Sequence, residues 1–180
     1  MQLFRNNRDG TFEDVSRTLS NIPAESRRGA AFGDINNDGI IDIVMVNVGG
    51  PPTLLLNQSR NSNHRVLFKL IGTKSNKMAI GARVTVKAGK LVQFSEVRAG
   101  VSYLSSNDPR LHFGLGAETM MTEVEIRWPS GRVEALSNIP ADFIYTIVEG
   151  EGIKDKAALP ALQSASPLLP PVRSQTPSAK

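Results

Sequence analysis

The chain has 180 residues, of which 40% are hydrophobic and 21% are charged, so it can bury a core as an ordinary globular protein does. It contains no cysteine, which excludes disulfide bonds and a thiolate metal site. The formal net charge of +4 is not gathered into a basic stripe and only 6% of the residues are aromatic, so the sequence predicts no nucleic-acid partner.

The sequence also predicts no membrane insertion, because no apolar run approaches the ~20 residues of a transmembrane helix. Residues 1–7 lack the apolar region of a signal peptide. If the protein is exported, we expect its signal to lie elsewhere, or this chain to be a piece of a longer one.

The first predicted element is a β-hairpin over residues 3–16. Two short segments with alternating polarity flank a turn that ends in Asp9-Gly10, and Asp-Gly is a strong hairpin turn. The next residues, 16–28, are polar with one proline and are predicted to form a connecting loop.

Residues 34–42 carry the sequence DINNDGIID, with oxygen-bearing side chains at positions 1, 3, 5 and 9 and a glycine at position 6. This is the oxygen-ligand spacing of a calcium loop, in which position 7 offers its backbone carbonyl. Three carboxylates so close in sequence repel one another unless a cation neutralises them. The predicted calcium ligands are Asp34, Asn36, Asp38, Ile40 (through its carbonyl) and Asp42.

Two alternatives bear on this loop. An EF-hand would need a glutamate at position 12 and flanking helices, but position 12 is Met45 and the flanks, residues 29–32 and 40–46, are predicted strands. The loop could instead be a polar hairpin turn that binds nothing, since Asn, Asp and Gly favour turns. Five protein oxygens in a flexible loop favour calcium over magnesium.

Four segments occur in the order LFRN (3–6), DGTF (9–12), FGDINNDGIIDI (32–43) and LLLN (54–57). This order resembles the FG-GAP/VCBS repeat, and the resemblance implies a four-stranded blade of a calcium-decorated β-propeller. Arg8 departs from the glycine usual in that turn. Since a propeller needs several blades to close, we expect residues 1–60 to be a partial repeat packed on the domain after it.

Further strands are predicted over residues 66–71, 82–88, 91–97, 122–128, 133–136 and 143–148. The clearest is 122–128, where Val124, Ile126 and Trp128 alternate with charged residues, so one face is buried. Trp128 is therefore predicted in the core, with an exposed sugar-stacking role as the alternative. Six strands at this spacing predict an antiparallel β-sandwich or barrel.

Four motifs, at residues 72–84, 100–105, 107–116 and 127–131, resemble the ASPIC/UnbV domain. We assign that domain to residues 61–152. In that family the module follows FG-GAP/VCBS repeats, which is the order found here. Met78 and Ser106 depart from the residues commoner in the family.

Ser105, Ser106, Asp108 and His112 include the three residue types of a hydrolase triad. No Gly-x-Ser-x-Gly segment is present, and the sequence around Asp108 predicts a turn. We therefore expect no catalytic residues and interpret His112 as a hydrogen-bonded strand histidine. Arginines could also line a carboxylate-binding groove, but pairing with strand glutamates is favoured. These arginines are Arg83, Arg98 and Arg127, and the glutamates are Glu96, Glu123 and Glu125.

Residues 153–180 are predicted to be a disordered, proline-rich tail, because the 26 residues from Asp155 hold five prolines and no glycine. Within it, residues 167–170 match a PxxP ligand motif, which is common in any proline-rich segment.

Together these patterns predict an all-β chain: a partial propeller blade with a calcium-loop hairpin, packed on an antiparallel sandwich or barrel, then the tail. The expected function is a calcium-binding, non-catalytic module with a protein or glycan partner. The resemblance implies an exported, cell-surface or periplasmic setting. The alternatives are a biosynthetic or carbohydrate-processing component with a substrate site on the β-domain, or an inactive truncated product that oligomerises through exposed strand edges.

Overall fold

A computed structural model describes residues 2–7, 9–19, 22, 25–59 and 61–162. Within these residues the regular structure consists of β-strands and a single short 3-10 helix, Ser16–Leu19, with no α-helix. In the same part of the chain, no helix has the length and apolarity needed to cross a membrane. The predicted all-β class is confirmed.

The N-terminal part forms two small antiparallel sheets. Strands β1 (Phe4–Asn6) and β2 (Phe12–Asp14) pair as the predicted first hairpin. Strands β3 (Arg27–Gly33), β4 (Asp42–Asn47) and β5 (Thr53–Leu55) form a three-stranded sheet with β4 in the centre. Gly33, the last residue of β3, pairs with Asp42, the first residue of β4. The acidic loop between them therefore closes a hairpin, as predicted.

The β-domain, which comprises strands β6 to β13, has two four-stranded sheets. The first has the order β11-β10-β7-β8, with β7 (Arg83–Ala88), β8 (Leu91–Glu96), β10 (Met120–Arg127) and β11 (Val133–Pro140). The second has the order β13-β12-β6-β9, with β6 (His64–Ile71), β9 (Leu111–Gly116), β12 (Phe143–Val148) and β13 (Gly152–Ala158).

Buried side chains of both sheets form one hydrophobic cluster. Val124 and Ile126 of β10 face it as the alternation predicts, and Trp128 is 2% exposed, so its predicted core position is confirmed. In the other sheet, the Phe68 ring lies 6.0 Å from that of Tyr145, in a stacked arrangement. Aromatic contacts of this kind add to the stability that burial provides.

One difference from the sequence predictions is the direction of a strand pair. The β6–β12 pair is parallel, whereas an all-antiparallel domain was expected. This pairing requires a long crossover, which here consists of β7 to β11.

The second difference concerns the predicted disordered tail from residue 153. Residues Gly152–Ala158 form strand β13 on the edge of β12. Six of its seven residues are exposed, so it carries no apolar alternation, and composition alone could not reveal it. The PxxP motif at 167–170 lies outside the described residues.

Candidate functional site

The acidic loop between β3 and β4 reverses direction through two residues with left-handed backbone conformations, Asn37 (φ 58°) and Gly39 (φ 82°). Asp34 and Asp42, at the two ends of the loop, are 3% and 0% exposed. The loop therefore places two carboxylates in the protein interior, where each needs hydrogen-bond donors or a cation.

Backbone N–H groups of the loop supply donors to Asp34 and Asp38. Asp34 Oδ1 accepts from Asp38 N at 3.0 Å, and Asp34 Oδ2 accepts from Gly39 N at 2.9 Å. Asp38 Oδ1 accepts from Ile40 N at 2.8 Å, while Asn36 Nδ2 donates to Asp38 Oδ2 at 2.8 Å. The predicted ligand residues are thus linked into one hydrogen-bonded loop.

Asp42 connects the loop to the segment that follows strand β5. Its Oδ2 accepts from Ile35 N at 3.0 Å, and its Oδ1 accepts from Asn57 N at 2.8 Å. The Asn57 side chain also donates to the carbonyl oxygen of Ile41 at 3.2 Å. Asn57 was not assigned a role from the sequence, although it ends the LLLN segment that carries part of the repeat resemblance.

The donor set fits a hard cation, because the side chains of all four predicted side-chain ligands offer oxygen. Burial raises the pKa of Asp34, and hydrogen bonding from Gly39 and the charge of Arg110 only partly oppose this. A divalent cation would relieve that desolvation cost. Across the described ranges, however, no three His, Asp or Glu side chains already converge to hold a metal ion. The five ligands therefore remain a prediction.

Three side chains of the β-domain contact backbone carbonyls of the loop. Arg65 Nε donates to Asp38 O at 3.1 Å, and its Nη2 contacts the same oxygen. The same Nη2 donates to Pro160 O at 2.7 Å, and Nη1 lies 3.5 Å from Asp142 Oδ1. These contacts join the loop to the end of the β-domain through one guanidinium, and Arg65 is only 6% exposed.

Arg110 and His112 complete this set of contacts. Arg110 Nη2 donates to Asp34 O and Nη1 to Asn37 Oδ1, both at 2.6 Å, while Nε pairs with Asp108 Oδ2 at 2.8 Å. His112 Nε2 lies 2.8 Å from Gly39 O. This agrees with the interpretation of His112 as a hydrogen-bonded strand histidine. Burial lowers the pKa of His112, which favours a neutral ring donating to that carbonyl.

Neither Arg65 nor Arg110 stood out in the sequence. Arg110 lies inside the 107–116 motif and Arg65 directly precedes a buried strand segment, which are the only sequence features that point to them. Their partners are 27 and 76 residues away in sequence, so only the folded chain brings them to the loop.

The residues of the triad hypothesis make other contacts in the structure. Asp108 pairs with Arg110, His112 contacts the Gly39 carbonyl, and the Ser105 hydroxyl donates to Tyr103 O at 2.9 Å. The Ser106 hydroxyl lies 3.5 Å from Asn107 O. These side chains therefore do not form the hydrogen-bonded chain of nucleophile, base and orienting acid that a hydrolase triad requires.

The arginines considered for a carboxylate groove lie on exposed surfaces. Arg127 pairs with Glu125 at 3.3 Å, and Arg83 stacks over the Phe94 ring at 4.0 Å. Arg98 is likewise exposed. It borders a cavity of about 390 Å³ between the acidic hairpin and the β-domain, which Phe32, Phe94 and His112 also line.

Glu149 is a third buried acid, to which the sequence analysis assigned no role. Its Oε2 accepts from three consecutive backbone N–H groups, those of Thr73, Lys74 and Ser75, at 2.8, 2.9 and 2.8 Å. Its Oε1 accepts from the hydroxyls of Ser75 (3.0 Å) and Ser130. The carboxylate thus ties the loop after β6 to the β10–β11 turn.

Comparison with protein families and known proteins matches two parts of the chain. The FG-GAP-like repeat matches residues 1–45, and the family described as ASPIC and UnbV matches residues 72–154. Cartilage acidic protein 1 of Xenopus tropicalis is 39% identical over 87 residues, and the human protein of that name is 36% identical over 87 residues. Each alignment covers 48% of this chain and 13% of the relative, so the chain corresponds to a small part of those proteins.

Proposed function

We propose that this chain, an FG-GAP-like repeat followed by an ASPIC and UnbV domain, is a calcium-stabilised, non-catalytic interaction module. FG-GAP repeats are commonly calcium-binding. The observation that carries the proposal is the pair of buried acids, Asp34 and Asp42, at the ends of an all-oxygen loop inside the matched repeat. Asp34, Asn36, Asp38 and Asp42 would hold the ion through side chains and Ile40 through its carbonyl.

The architecture supports an interaction role. The three-stranded sheet would be part of a propeller blade, and the two sheets of the β-domain would form a sandwich. Exposed apolar side chains, among them Val46 (58%), Phe94 (64%) and Tyr103 (64%), offer surface for a protein or glycan partner. The setting would be extracellular, on the cell surface or periplasmic, where millimolar calcium suits a weak site.

Thermal unfolding of the whole chain tests the calcium role. The chain is melted in chelator, in about 5 mM calcium and in about 5 mM magnesium, concentrations at which a weak extracellular-type site would fill. Binding at about a tenth of that concentration stabilises by roughly 1.4 kcal/mol, which corresponds to about 3 to 6 °C for a chain of this size. Asp38→Ala should abolish the calcium-specific rise, whereas Asp9→Ala, in the exposed first hairpin turn, should keep it.

A melting temperature that does not shift in either ion would contradict the calcium assignment, provided that elemental analysis shows the starting protein to be free of calcium. The loop would then be a polar turn that binds no ion.

A second candidate function rests on the cavity between the hairpin and the β-domain, whose lining includes Glu96, Arg98 and His112. If the chain belongs to a biosynthetic or carbohydrate-processing system, a substrate would lie here. Titration with candidate sugars, followed by chemical-shift changes at Phe94 and Arg98, would favour this function over a purely structural module.

A further inference from the structure

Two positively charged side chains of the β-domain already lie against the acidic loop. Three carboxylates, those of Asp34, Asp38 and Asp42, lie in the loop, and two guanidinium groups contact its backbone carbonyls. Both guanidinium groups are largely withdrawn from water: the side chains of Arg65 and Arg110 are 8% and 18% exposed. Charges in such places are poorly screened and act strongly on their neighbours.

We propose that Arg65 and Arg110 are resident counter-cations of the loop, which keep it closed without a metal ion and at the same time weaken its affinity for calcium. The inference rests on the proposed calcium role and extends it to the residues that set the affinity. Calcium would then be a weak, reversible ligand of a loop that is already folded.

The two arginines contact the loop from the β-domain side. The carbonyl oxygens of Asp34, Asp38 and Gly39 are the atoms that Arg110, Arg65 and His112 contact. Among the described residues, neither guanidinium donates to a side-chain oxygen of a predicted ligand, because their other partners are Asn37, Asp108, Asp142 and Pro160. The arginines therefore leave the predicted side-chain ligands without a guanidinium contact.

The charges of the arginines also act on any ion in the loop. A divalent ion within several ångströms of a guanidinium is repelled by it, and removal of one such charge strengthens binding roughly three- to tenfold at the effective dielectric of a protein surface. Arg110 Nη2 donates to the carbonyl oxygen of Asp34 at 2.6 Å, so the guanidinium charge lies beside a residue that carries one of the loop carboxylates. Asp108, which Arg110 now neutralises at 2.8 Å, would add its negative charge once released.

A purely structural role for Arg110 predicts the opposite change in calcium affinity when Arg110 is replaced. If its hydrogen bonds only position the ligands, then any replacement loosens the loop and weakens calcium binding. Under the counter-cation proposal, neutral replacements strengthen calcium binding while they destabilise the calcium-free protein, because Asp34 O and Asn37 lose their donors.

The test is calorimetric titration of the whole chain with calcium chloride, together with melting in chelator. Arg110→Met and Arg110→Gln should each bind calcium roughly three- to tenfold more tightly than the wild type, and both should melt at a lower temperature in chelator. Arg110→Lys keeps the charge and should bind with nearly wild-type affinity. Arg127→Met is the charge-matched control, since Arg127 is 64% exposed on another sheet, and it should leave the affinity unchanged.

The outcomes separate this inference from the proposed function. If the wild type binds calcium and both neutral variants bind it with equal or lower affinity, the counter-cation role alone is overturned. Absence of calcium binding in the wild type and in every variant overturns both. A neutral variant that is unfolded in chelator and refolds when calcium is added supports the inference. Arg110→Gln keeps N–H donors, so it provides the test if Arg110→Met does not fold in either solution.

Discussion

The Arg65 guanidinium donates to the carbonyl oxygen of Asp38, with Nε at 3.1 Å, and so connects a buried cation of the β-domain to the centre of the acidic loop. The contact spans 27 residues of sequence and links the FG-GAP-like repeat to the first strand of the β-domain. Since the same guanidinium also reaches Pro160 and Asp142, the loop and the far end of the β-domain depend on one side chain.

The first prediction concerns the space that this contact leaves for Gly39. A Cβ atom at position 39 would lie 2.8 Å from Leu159 Cδ1 and even closer to Arg65 Nε, on a backbone with φ of 82°. Gly39→Ala should therefore lower the free energy of unfolding by about 2 to 4 kcal/mol through strain and displacement of Arg65. Urea unfolding followed by tryptophan fluorescence measures this change.

Gly49→Ala is the matched control, because Gly49 also has a positive φ (75°) but a Cβ there would meet nothing within 4 Å. It should cost only about 1 to 2 kcal/mol, the penalty of the left-handed backbone. Equal losses in the two variants would show that Gly39 is needed for its backbone conformation and not for the approach of Arg65.

The second prediction concerns the buried carboxylate of Glu149. Burial alone would raise the pKa of Glu149, but its hydrogen bonds from Ser130 and Ser75 outweigh this and lower the pKa to about 2. Since the folded pKa lies below the unfolded value near 4.5, the stabilisation is fully present above about pH 5 and is lost as the pH falls toward 2.

Glu149→Gln should cost about 2 to 4 kcal/mol at pH 7, because the amide cannot accept all the N–H and O–H donors that the carboxylate accepts. The difference from the wild type should shrink as the pH falls from about 5 to about 2. Denaturant unfolding at several pH values measures it, with the half-exposed Glu151→Gln as control. A difference that is independent of pH over this interval would contradict the assigned ionisation.

The third prediction concerns Trp128, the chain's single tryptophan. It is 2% exposed, and its Nε1 is buried with no hydrogen-bond partner among the described residues. Trp128→Ala should cost about 3 to 5 kcal/mol through the cavity it leaves. Trp128→Phe should cost less than half as much, because it also removes the unsatisfied N–H group.

Circular dichroism during urea unfolding measures both Trp128 variants, which no longer carry the fluorescent reporter. Tyr103→Ala, at a side chain 64% exposed, is the control and should change stability by no more than about 0.5 kcal/mol. If Trp128→Phe is as costly as Trp128→Ala, the aromatic packing of the indole matters more than its unpaired N–H.

Local patterns predicted much of the fold. The Asp-Gly turn predicted the β1–β2 hairpin, the glycine and acids of 34–42 predicted the β3–β4 hairpin, and the alternation of 122–128 predicted the buried face of β10. These features depend on neighbouring residues, whose φ preferences and side-chain alternation are written in the sequence itself. Strand β13 was missed for the same reason: its exposed residues carry no such pattern.

By itself, the sequence determined the composition of the acidic loop, its turn and the all-β character of the chain. Only the tertiary structure decided what surrounds that loop. Arg65, Arg110 and His112 reach its carbonyls, and β6 pairs with β12 in parallel, through contacts between residues far apart in the chain. The physical reason is that such contacts depend on how the whole chain closes on its core, and an isolated arginine or histidine gives no local indication of the partner that folding will bring to it.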